Sequence, residues 1–347
     1  MEPHTVASAP PGQARGQAPQ GRRPRHAASW SGRLGLDRFS GLYIFALVIA
    51  IFALWVPGTF LRADNVELIA DQQAITALLA LAVIVPMAAG AFDLSFAAIM
   101  GQSTVTVALL ESHGWNVLVT VIIGVLLGAA IGAVNGLFVA GFGVSSFVTT
   151  LGTSSVLAAT SYWATGGFPI VNGISPALVT LSTTQFLGVS LVFYIMIAVA
   201  IALYIVMEYT PMGRYLFAVG GNPQAARLAG LPVGKITFCS LVASGAISGF
   251  AGVLLLAQLR TASYDVGPPY LLPAFSAAFL GATQIKAGRV NVLGTLIAVF
   301  LLATGVDGLQ LAGAPVYIDT LFGGVALLVA VTLAVRTARK RGRAVAG

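Results

Sequence analysis

Few residues in this sequence have side chains that could take part in catalysis or ligand binding, and most of them stand in apolar surroundings. Asp93 follows Gly90 and precedes Ser95 in a run that is otherwise apolar. An ionised side chain at membrane depth is costly, so its presence needs a partner or a function. If a helix starts just after it, at Leu94 or Ser95, the carboxylate can accept the free N–H groups of that helix. It can also contact a solute if the break lines a water-filled path. The sequence leaves both roles open.

Other polar side chains share the predicted membrane depth of Asp93. Amides and hydroxyls suit a hydroxylated solute because they both donate and accept hydrogen bonds. The same groups also join helices to one another, at under about 1 kcal/mol each, and the sequence does not separate the two uses. The candidates for lining a substrate path are Asp93, Ser95, Gln102, Asn135, Thr149, Thr150 and Asp307, with Ser103, Thr104 and Thr153 at similar depth.

The sequence lacks the residues that ATP hydrolysis, metal binding and nucleophilic catalysis require. The sequence has no Gly-x4-Gly-Lys-[Ser/Thr] loop, so hydrolysis of ATP would need a separate subunit. One cysteine, Cys239, and three histidines assemble no metal cluster. Ser248, between two glycines, superficially suggests a nucleophile, but no histidine follows His113 to activate it. We therefore predict a protein that is not an enzyme and that binds no metal or cofactor itself.

The composition is that of a membrane protein. Of the 347 residues, 57% are hydrophobic and 8% charged, and the mean hydropathy is +0.91; soluble domains are roughly 25% charged. The net charge of +7 does not indicate a nucleic-acid partner, because the basic residues gather at the two ends of the chain and in a few connections. Lipid is the expected surrounding.

The sequence predicts an all-α polytopic membrane protein with about ten transmembrane helices. Each apolar run is long enough, or nearly so, for roughly 30 Å of hydrocarbon. The predicted segments are 41–60, 74–90, 96–112, 117–139, 147–165, 191–207, 236–257, 271–285, 291–311 and 318–336.

Basic residues predict the orientation of these segments. With the N-terminus inside, only Arg62 and Arg260 of the 18 basic residues lie in outside connections. The positive-inside rule therefore predicts that both termini are cytoplasmic. Residues 1–38 are predicted to be a disordered basic cytoplasmic tail, 39–336 the transmembrane domain, and 337–347 a basic cytoplasmic C-terminal tail.

Two segments carry glycines on one helical face. Helices that carry small residues can approach closely, and in lipid such contact is a main source of association. The pattern favours packing within one subunit over a dimer face. The glycines are Gly124, Gly128, Gly132 and Gly136 in the fourth segment and Gly245 and Gly249 in the seventh.

The longest polar connection, 208–235, has the signals of a small folded element. Gly220 and Gly221 predict a flexible bend, Asn222 an N-cap and Pro223 the first helical position. Gly230 suits the C-terminal cap. The resulting helix, 223–229, has about two turns and is too short to be stable alone. It must pack either on a partner protein or on its own membrane domain.

Three motifs resemble those of ribose-type ABC importer permeases. They are Pro211-Met-Gly-Arg through Gly230 in this connection, Gly90-Ala-Phe-Asp-Leu-Ser95, and Leu280-Gly-Ala-Thr283 with Ala287-Gly-Arg289. They occur in family order across residues 40 to 336. The resemblance implies a type II ABC importer-like permease fold and a multi-pass location in a bacterial inner (cytoplasmic) membrane.

The same resemblance implies partners. An ATPase subunit with two nucleotide-binding domains, which holds the ATP and magnesium, would dock on a coupling helix in 208–235. A periplasmic or lipid-anchored sugar-binding protein would deliver a monosaccharide to the outer side, where 166–190 is the longest connection, and the permease would be a homodimer. The residues implied for ATPase coupling are Gly213, Arg214, Gly221, Asn222, Pro223, Ala225, Ala226, Arg227 and Gly230.

The chain also departs from the family pattern, so its solute is not fixed. Residues 271–277 lack both carboxylates of the family's Glu-Leu-Asp-Ala-Ile-Ala-Ala, and Val306-Asp307-Gly308 stands where the family has Asn-Asn-Gly. A branched-chain amino-acid-type ABC permease is one alternative. An ion-coupled secondary transporter, with Asp93 and Asp307 as coupling sites, is another, although it gives the 208–235 connection no role.

Overall fold

A computed structural model describes residues 36–286 and 288–345 of the chain, and the side chains of 41–286 and 288–332. The tail predicted at 1–38 therefore lies outside the described residues up to residue 35, as do residues 346 and 347 of the predicted C-terminal tail. The last helix continues through the basic end of the chain to Val345.

The described chain is almost entirely helical. Its helices are α1 (Leu36–Trp55), α2 (Ala63–Ala88), α3 (Phe96–Ser112), α4 (Val117–Gly136), α5 (Ser146–Thr165), α6 (Pro176–Thr183), α7 (Leu191–Tyr209), α8 (Pro211–Gly221), α9 (Pro223–Leu228), α10 (Val233–Leu259), α11 (Leu271–Gly281), α12 (Val292–Leu311) and α13 (Ile318–Val345). A π-helical turn, Leu137–Gly141, extends α4, and a 3-10 turn, Pro268–Tyr270, precedes α11. Strands β1 (Gln185–Phe186) and β2 (Val189–Ser190) form an antiparallel hairpin.

Each of the ten predicted segments coincides with a helix. Among the described residues, five helices are long and apolar enough to cross a membrane: α2, α4 with its π turn, α7, α10 and α12. The count of ten crossings and the cytoplasmic termini stay predictions. Several predicted bounds differ from the helix ends, and the largest error is at α2, which begins at Ala63, well before residue 74. The polar run 71–73, which we assigned to a connection, lies inside this helix.

Helix α2 is at the centre of the protein. Every residue from Ala74 to Ile84 is buried, most of them completely. A helix that is apolar on all sides is stable where protein or lipid covers it. Helices α3, α7, α10, α11 and α12 supply that cover, so α2 fixes the positions of the elements on either side of it.

Helices α4 and α10 meet along a seam of glycines within this one chain. A Cβ atom added at Gly128 would lie 2.2 Å from the carbonyl oxygen of Gly245, and one at Gly249 would lie 2.5 Å from that of Gly124. Backbones this close leave no room for any side chain. The other two glycines of the predicted stripe, Gly132 and Gly136, are buried on the same face of α4.

The connection 166–190, on the face predicted to lie outside, is folded onto the helix ends. Ile170 forms an isolated antiparallel bridge with Ala262, which follows α10. Buried Glu111, at the end of α3, accepts hydrogen bonds from the hydroxyl of Thr120 and from the N–H of Ser175. The hairpin β1–β2 is tied to α2 where the N–H of Ser190 donates to Asp71 at 2.8 Å.

Candidate functional site

The chain breaks between α2 and α3, and Asp93 is completely buried in the break. Gly90 begins the break with φ +79°. The Oδ1 atom of Asp93 accepts the N–H of Ser95 at 2.9 Å and its hydroxyl at 2.6 Å, and Oδ2 accepts the hydroxyl of Ser244 on α10 at 2.7 Å. The carboxylate therefore holds the residue that precedes α3. The N–H of Leu94, which we expected it to accept, donates instead to Thr150 at 2.9 Å.

The network continues from the break into α4 and α5. Asn135 donates to the hydroxyl of Ser95 at 2.8 Å, and Thr153 donates to the amide oxygen of Asn135 at 2.6 Å. Together these bonds join the break to three helices, and the groups bond to one another. A solute could reach them only after the helices have moved apart.

The remaining candidates on α3 and α5 lie beyond this network. The amide oxygen of Gln102 accepts the hydroxyls of Thr160 and Ser161 at 2.8 and 2.9 Å, which links α3 to α5. The hydroxyl oxygen of Thr149 is buried without a hydrogen-bond partner among the described residues.

Asp307 lies at the other end of α2 from Asp93. Its Oδ2 accepts the amide of Asn65, in the first turn of α2, at 2.9 Å, whereas Asp93 follows the end of that helix. At 1.5 Å per residue the two carboxylates are about 35 Å apart along α2. The structure therefore brings together Asp93, Ser95, Asn135 and Thr150 but places Asp307 at the opposite end.

Asp307 lines a cavity of about 940 Å³ at that end. The cavity lies among α2, α10, α12 and the start of α13, on the face predicted to lie outside. Sequence reasoning missed most of its polar lining, which includes Asp71, Gln72, Gln73, Ser190, Gln258, Asp265, Gln310 and Asp319. The available signal was that these residues gather at the outer ends of predicted segments.

The connection 208–235 contains two helices where we predicted one. Gly220 and Gly221 do not form a flexible bend, because α8 runs through both of them. Asn222 caps α9, and its side-chain oxygen accepts the N–H groups of Gln224 and Ala225 at 3.1 and 3.0 Å. Gly230 has φ +82°, a left-handed conformation that suits glycine.

The exposed face of α9 differs from the predicted one. Ala226 is only 5% exposed and packs into the core of this chain, so it is not available to a partner. Leu228 is 92% exposed. Of the other residues implied for coupling, Arg214, Gly221, Asn222, Pro223, Ala225, Arg227 and Gly230 are exposed, and Gly213 is buried.

The connection 208–235 touches the Asp93 break directly. A Cβ atom added at Gly220 would lie 2.2 Å from the carbonyl oxygen of Ala88, at the end of α2. One added at Gly90 would lie 3.3 Å from the Cα atom of Gly220. The end of α8, two residues before the N-cap of α9, is therefore in contact with the start of the break.

A charged cluster fixes α8 from its other side. Lys286 pairs with Glu208 at 2.5 Å and Arg289 with the same carboxylate at 3.6 Å. The guanidinium of Arg289 lies 3.5 Å from the centre of the Phe217 ring on α8. The connection between α11 and α12 thus holds the end of α7 and one face of α8 in place.

Known permease proteins are similar to this chain along most of its length. A family model described as the branched-chain amino acid transport system / permease component matches residues 65–331. The ribose import permease proteins of Bacillus subtilis and Escherichia coli K12 are 32% and 31% identical, over 86% and 84% of this chain and 92% and 91% of their own. An autoinducer 2 import system permease protein of Salmonella paratyphi A is 29% identical, over 82% of this chain and 88% of its own. A solved structure of an inward-facing, metal-chelate type ABC transporter covers 85% of this chain at 14% identity with a TM-score of 0.49, too low to carry an argument.

Proposed function

We propose how this chain works as part of an importer. It belongs to the permease-component family of branched-chain amino acid transport systems. Ribose import permeases resemble it along most of their length. It is a multi-pass membrane permease of a sugar-type ABC importer, a transport component rather than an enzyme. We propose that it moves a monosaccharide delivered by an extracytoplasmic binding protein. A separate ATPase drives the movement from the cytoplasmic side of a bacterial inner membrane.

The observation that carries this proposal is the extent of the likeness to ribose import permeases, which spans over nine-tenths of their chain. A branched-chain amino acid remains a second candidate solute because the family description names that class. A transport path lined by polar groups suits a sugar better than a branched-chain amino acid. The groups around the break are hydroxyls and an amide, with a single carboxylate whose two oxygens already accept hydrogen bonds.

The geometry of α9 supports ATPase coupling. The helix is short and capped, and on one side it is held by buried Ala226. On the other side it presents Leu228, almost fully exposed, beside Arg227. An exposed leucine next to an arginine suits a partner groove with an apolar floor and an acidic rim. An ion-coupled carrier gives this element no role.

The outer connection supports delivery by a binding protein. Phe168 is 77% exposed and Leu187, at the turn of the β1–β2 hairpin, is 81% exposed. Leu187 has φ +52°, which is unfavourable for a residue with a branched side chain. Exposed apolar side chains at an outer surface suit a partner protein better than water.

We further propose ten membrane crossings, both termini in the cytoplasm, and a homodimer around the transport path. Two nucleotide-binding domains need two docking surfaces, and a twofold pair of identical permease chains supplies them.

Reconstitution tests the proposal. The permease is co-expressed with a candidate ATPase subunit and a candidate binding protein from the same organism, the complex is placed in liposomes, and uptake of labelled monosaccharides and branched-chain amino acids is measured. We expect ATP-dependent uptake of one sugar that requires all three proteins. Uptake that follows an ion gradient without the ATPase, or uptake of a branched-chain amino acid alone, would contradict the proposal.

A further inference from the structure

The outer cavity has the size and the polarity of a small-molecule site. Its volume, about 940 Å³, lies within the roughly 300–1,000 Å³ usual for ligand pockets. Carboxylates, carboxamides and hydroxyls line it together, and the side chains of Tyr270 and Val299 give it apolar surface. Such a lining supplies both acceptors and donors around a partly apolar space.

One hydroxyl in this cavity lacks a partner. Ser190 lines the cavity and is only 2% exposed, and its Oγ atom has no hydrogen-bond partner among the described residues. Buried polar groups are rarely left unpaired, because the lost hydrogen bond is costly. The backbone of Ser190 is held by the bond from its N–H to Asp71, so the main chain that carries the orphaned hydroxyl is fixed in position. A ligand in the cavity can supply the missing bond.

The arrangement of the carboxylates indicates which ligand. Asp71, Asp265, Asp307 and Asp319 all line the cavity, yet among the described residues no three acidic, histidine or cysteine side chains converge closely enough to hold a metal ion. Asp71 and Asp307 already accept bonds from Ser190 and Asn65. Acceptors spread around a space and interleaved with glutamine amides fit the scattered hydroxyls of a sugar better than one compact cation.

The cavity also lies where a delivered solute would arrive. The hairpin that carries Ser190 is part of the outer connection, and its exposed turn residue Leu187 is three positions away. Gln258 also lines the cavity, and it donates to the backbone oxygen of Asp71 at 2.9 Å and so joins the end of α10 to α2. The hairpin and the two longest helices of the core therefore share this one space.

We propose that this cavity is a binding site for a monosaccharide, lying within a single permease chain and receiving the sugar before it reaches the path near Asp93. Ser190 donates to or accepts from one sugar hydroxyl, and the carboxylates and glutamines bind the others. This assignment of the ligand rests on the proposed function, since it takes the transported solute to be a sugar.

Cysteine labelling tests the proposal in full-length permease in nanodiscs. Cys239 is replaced by alanine, and Ser190→Cys then places one thiol at the site with almost no change of volume. The rate of its reaction with a small cationic thiosulfonate reagent is measured against D-ribose, D-xylose, D-glucose and D-galactose, with mannitol as an osmotic control. At ten times its dissociation constant, a bound sugar should slow the reaction about tenfold. The matched control, Leu187→Cys on the same hairpin, should react at a rate that no sugar changes.

A second variant keeps the test independent of Ser190. Asp319 lines the cavity and is exposed, so Asp319→Asn should leave the fold unchanged. It should raise the sugar concentration needed for half-protection about tenfold, as expected for the loss of one hydrogen bond to a charged group. In the complete importer it should raise KM for uptake more than it lowers the maximal rate.

The outcomes separate the two proposals. Protection of Ser190→Cys by a sugar, in a complete importer that takes up none of the sugars tested, would keep the site and defeat the proposed function. Sugar uptake by the importer with no protection of Ser190→Cys by that sugar or by any other would keep the proposed function and overturn the site.

Discussion

Leu228 should contribute more to ATPase binding than any other side chain of α9. The side chain is 92% exposed in the permease alone. Leu228→Ala removes three carbon atoms, and at about 0.8 kcal/mol per buried CH₂ the loss on docking is about 2 kcal/mol. This corresponds to an affinity lower by about 30-fold. Leu228→Asp should weaken binding further, because a carboxylate would have to be buried in an apolar groove.

The neighbouring Ala226 should respond differently. Because it is buried in its own domain, Ala226→Leu should overpack the core and destabilise the permease by about 1–3 kcal/mol. Leu228→Ala should leave permease stability unchanged. The two substitutions, two residues apart, therefore separate docking from folding.

The assay measures both quantities on the same samples. The affinity of the purified ATPase for permease nanodiscs is measured by surface binding, and permease stability by thermal unfolding. Leu187→Ala is the matched control, since this leucine is 81% exposed on the opposite face of the protein and should not affect ATPase affinity. Wild-type affinity and wild-type transport-stimulated ATPase activity in Leu228→Ala would refute the assignment of α9 as the docking element.

Three further predictions concern the membrane domain. Gly128→Ala should destabilise the protein by about 1–3 kcal/mol, seen as a lower unfolding temperature, because its Cβ would lie 2.2 Å from a backbone oxygen; Gly152→Ala, with nothing within 4 Å, should not. Asp93→Asn should give a folded permease with impaired uptake, whereas Asp93→Leu should also lower the unfolding temperature, since three donors would lose their acceptor; equal, full uptake in both variants would show that Asp93 has neither role. In a cysteine-free background, His113→Cys should react with an impermeant maleimide from outside and Gly221→Cys only from inside, and the reverse result would invert the topology.

The sequence predicted the elements well where apolar length decided the outcome. All ten apolar segments contain helices, and Asn222 caps α9, because a capping side chain acts on N–H groups two and three residues away. The predicted start of α2 was wrong because it was placed by apolar length alone. Polar residues 71–73 suggested a connection, but they face the cavity and continue the helix.

Features set by tertiary contact were not predictable in this way. The glycines at the end of α8 have low helix propensity, yet they are helical, because Gly220 lets α8 lie against the end of α2. Alanine has no strong preference for either side of a short helix, so the burial of Ala226 had no sequence signal. The cavity depends on the meeting of five separate regions of the chain, and local pattern carries no information about that meeting.

The contact between Gly220 and the end of α2 has a mechanical consequence. Two backbones at van der Waals distance resist compression steeply, but each atom pair resists separation by only about 0.1–0.2 kcal/mol. A force that presses α9 and the end of α8 toward α2 is therefore transmitted through Gly220 to Ala88 and Gly90. A force of the same size in the opposite direction only separates the two backbones. This contact therefore transmits compression but not tension, so a movement in the opposite direction has to be transmitted through the covalent links of α8 to α7 and α9 and through the ion pairs of Glu208 with Lys286 and Arg289.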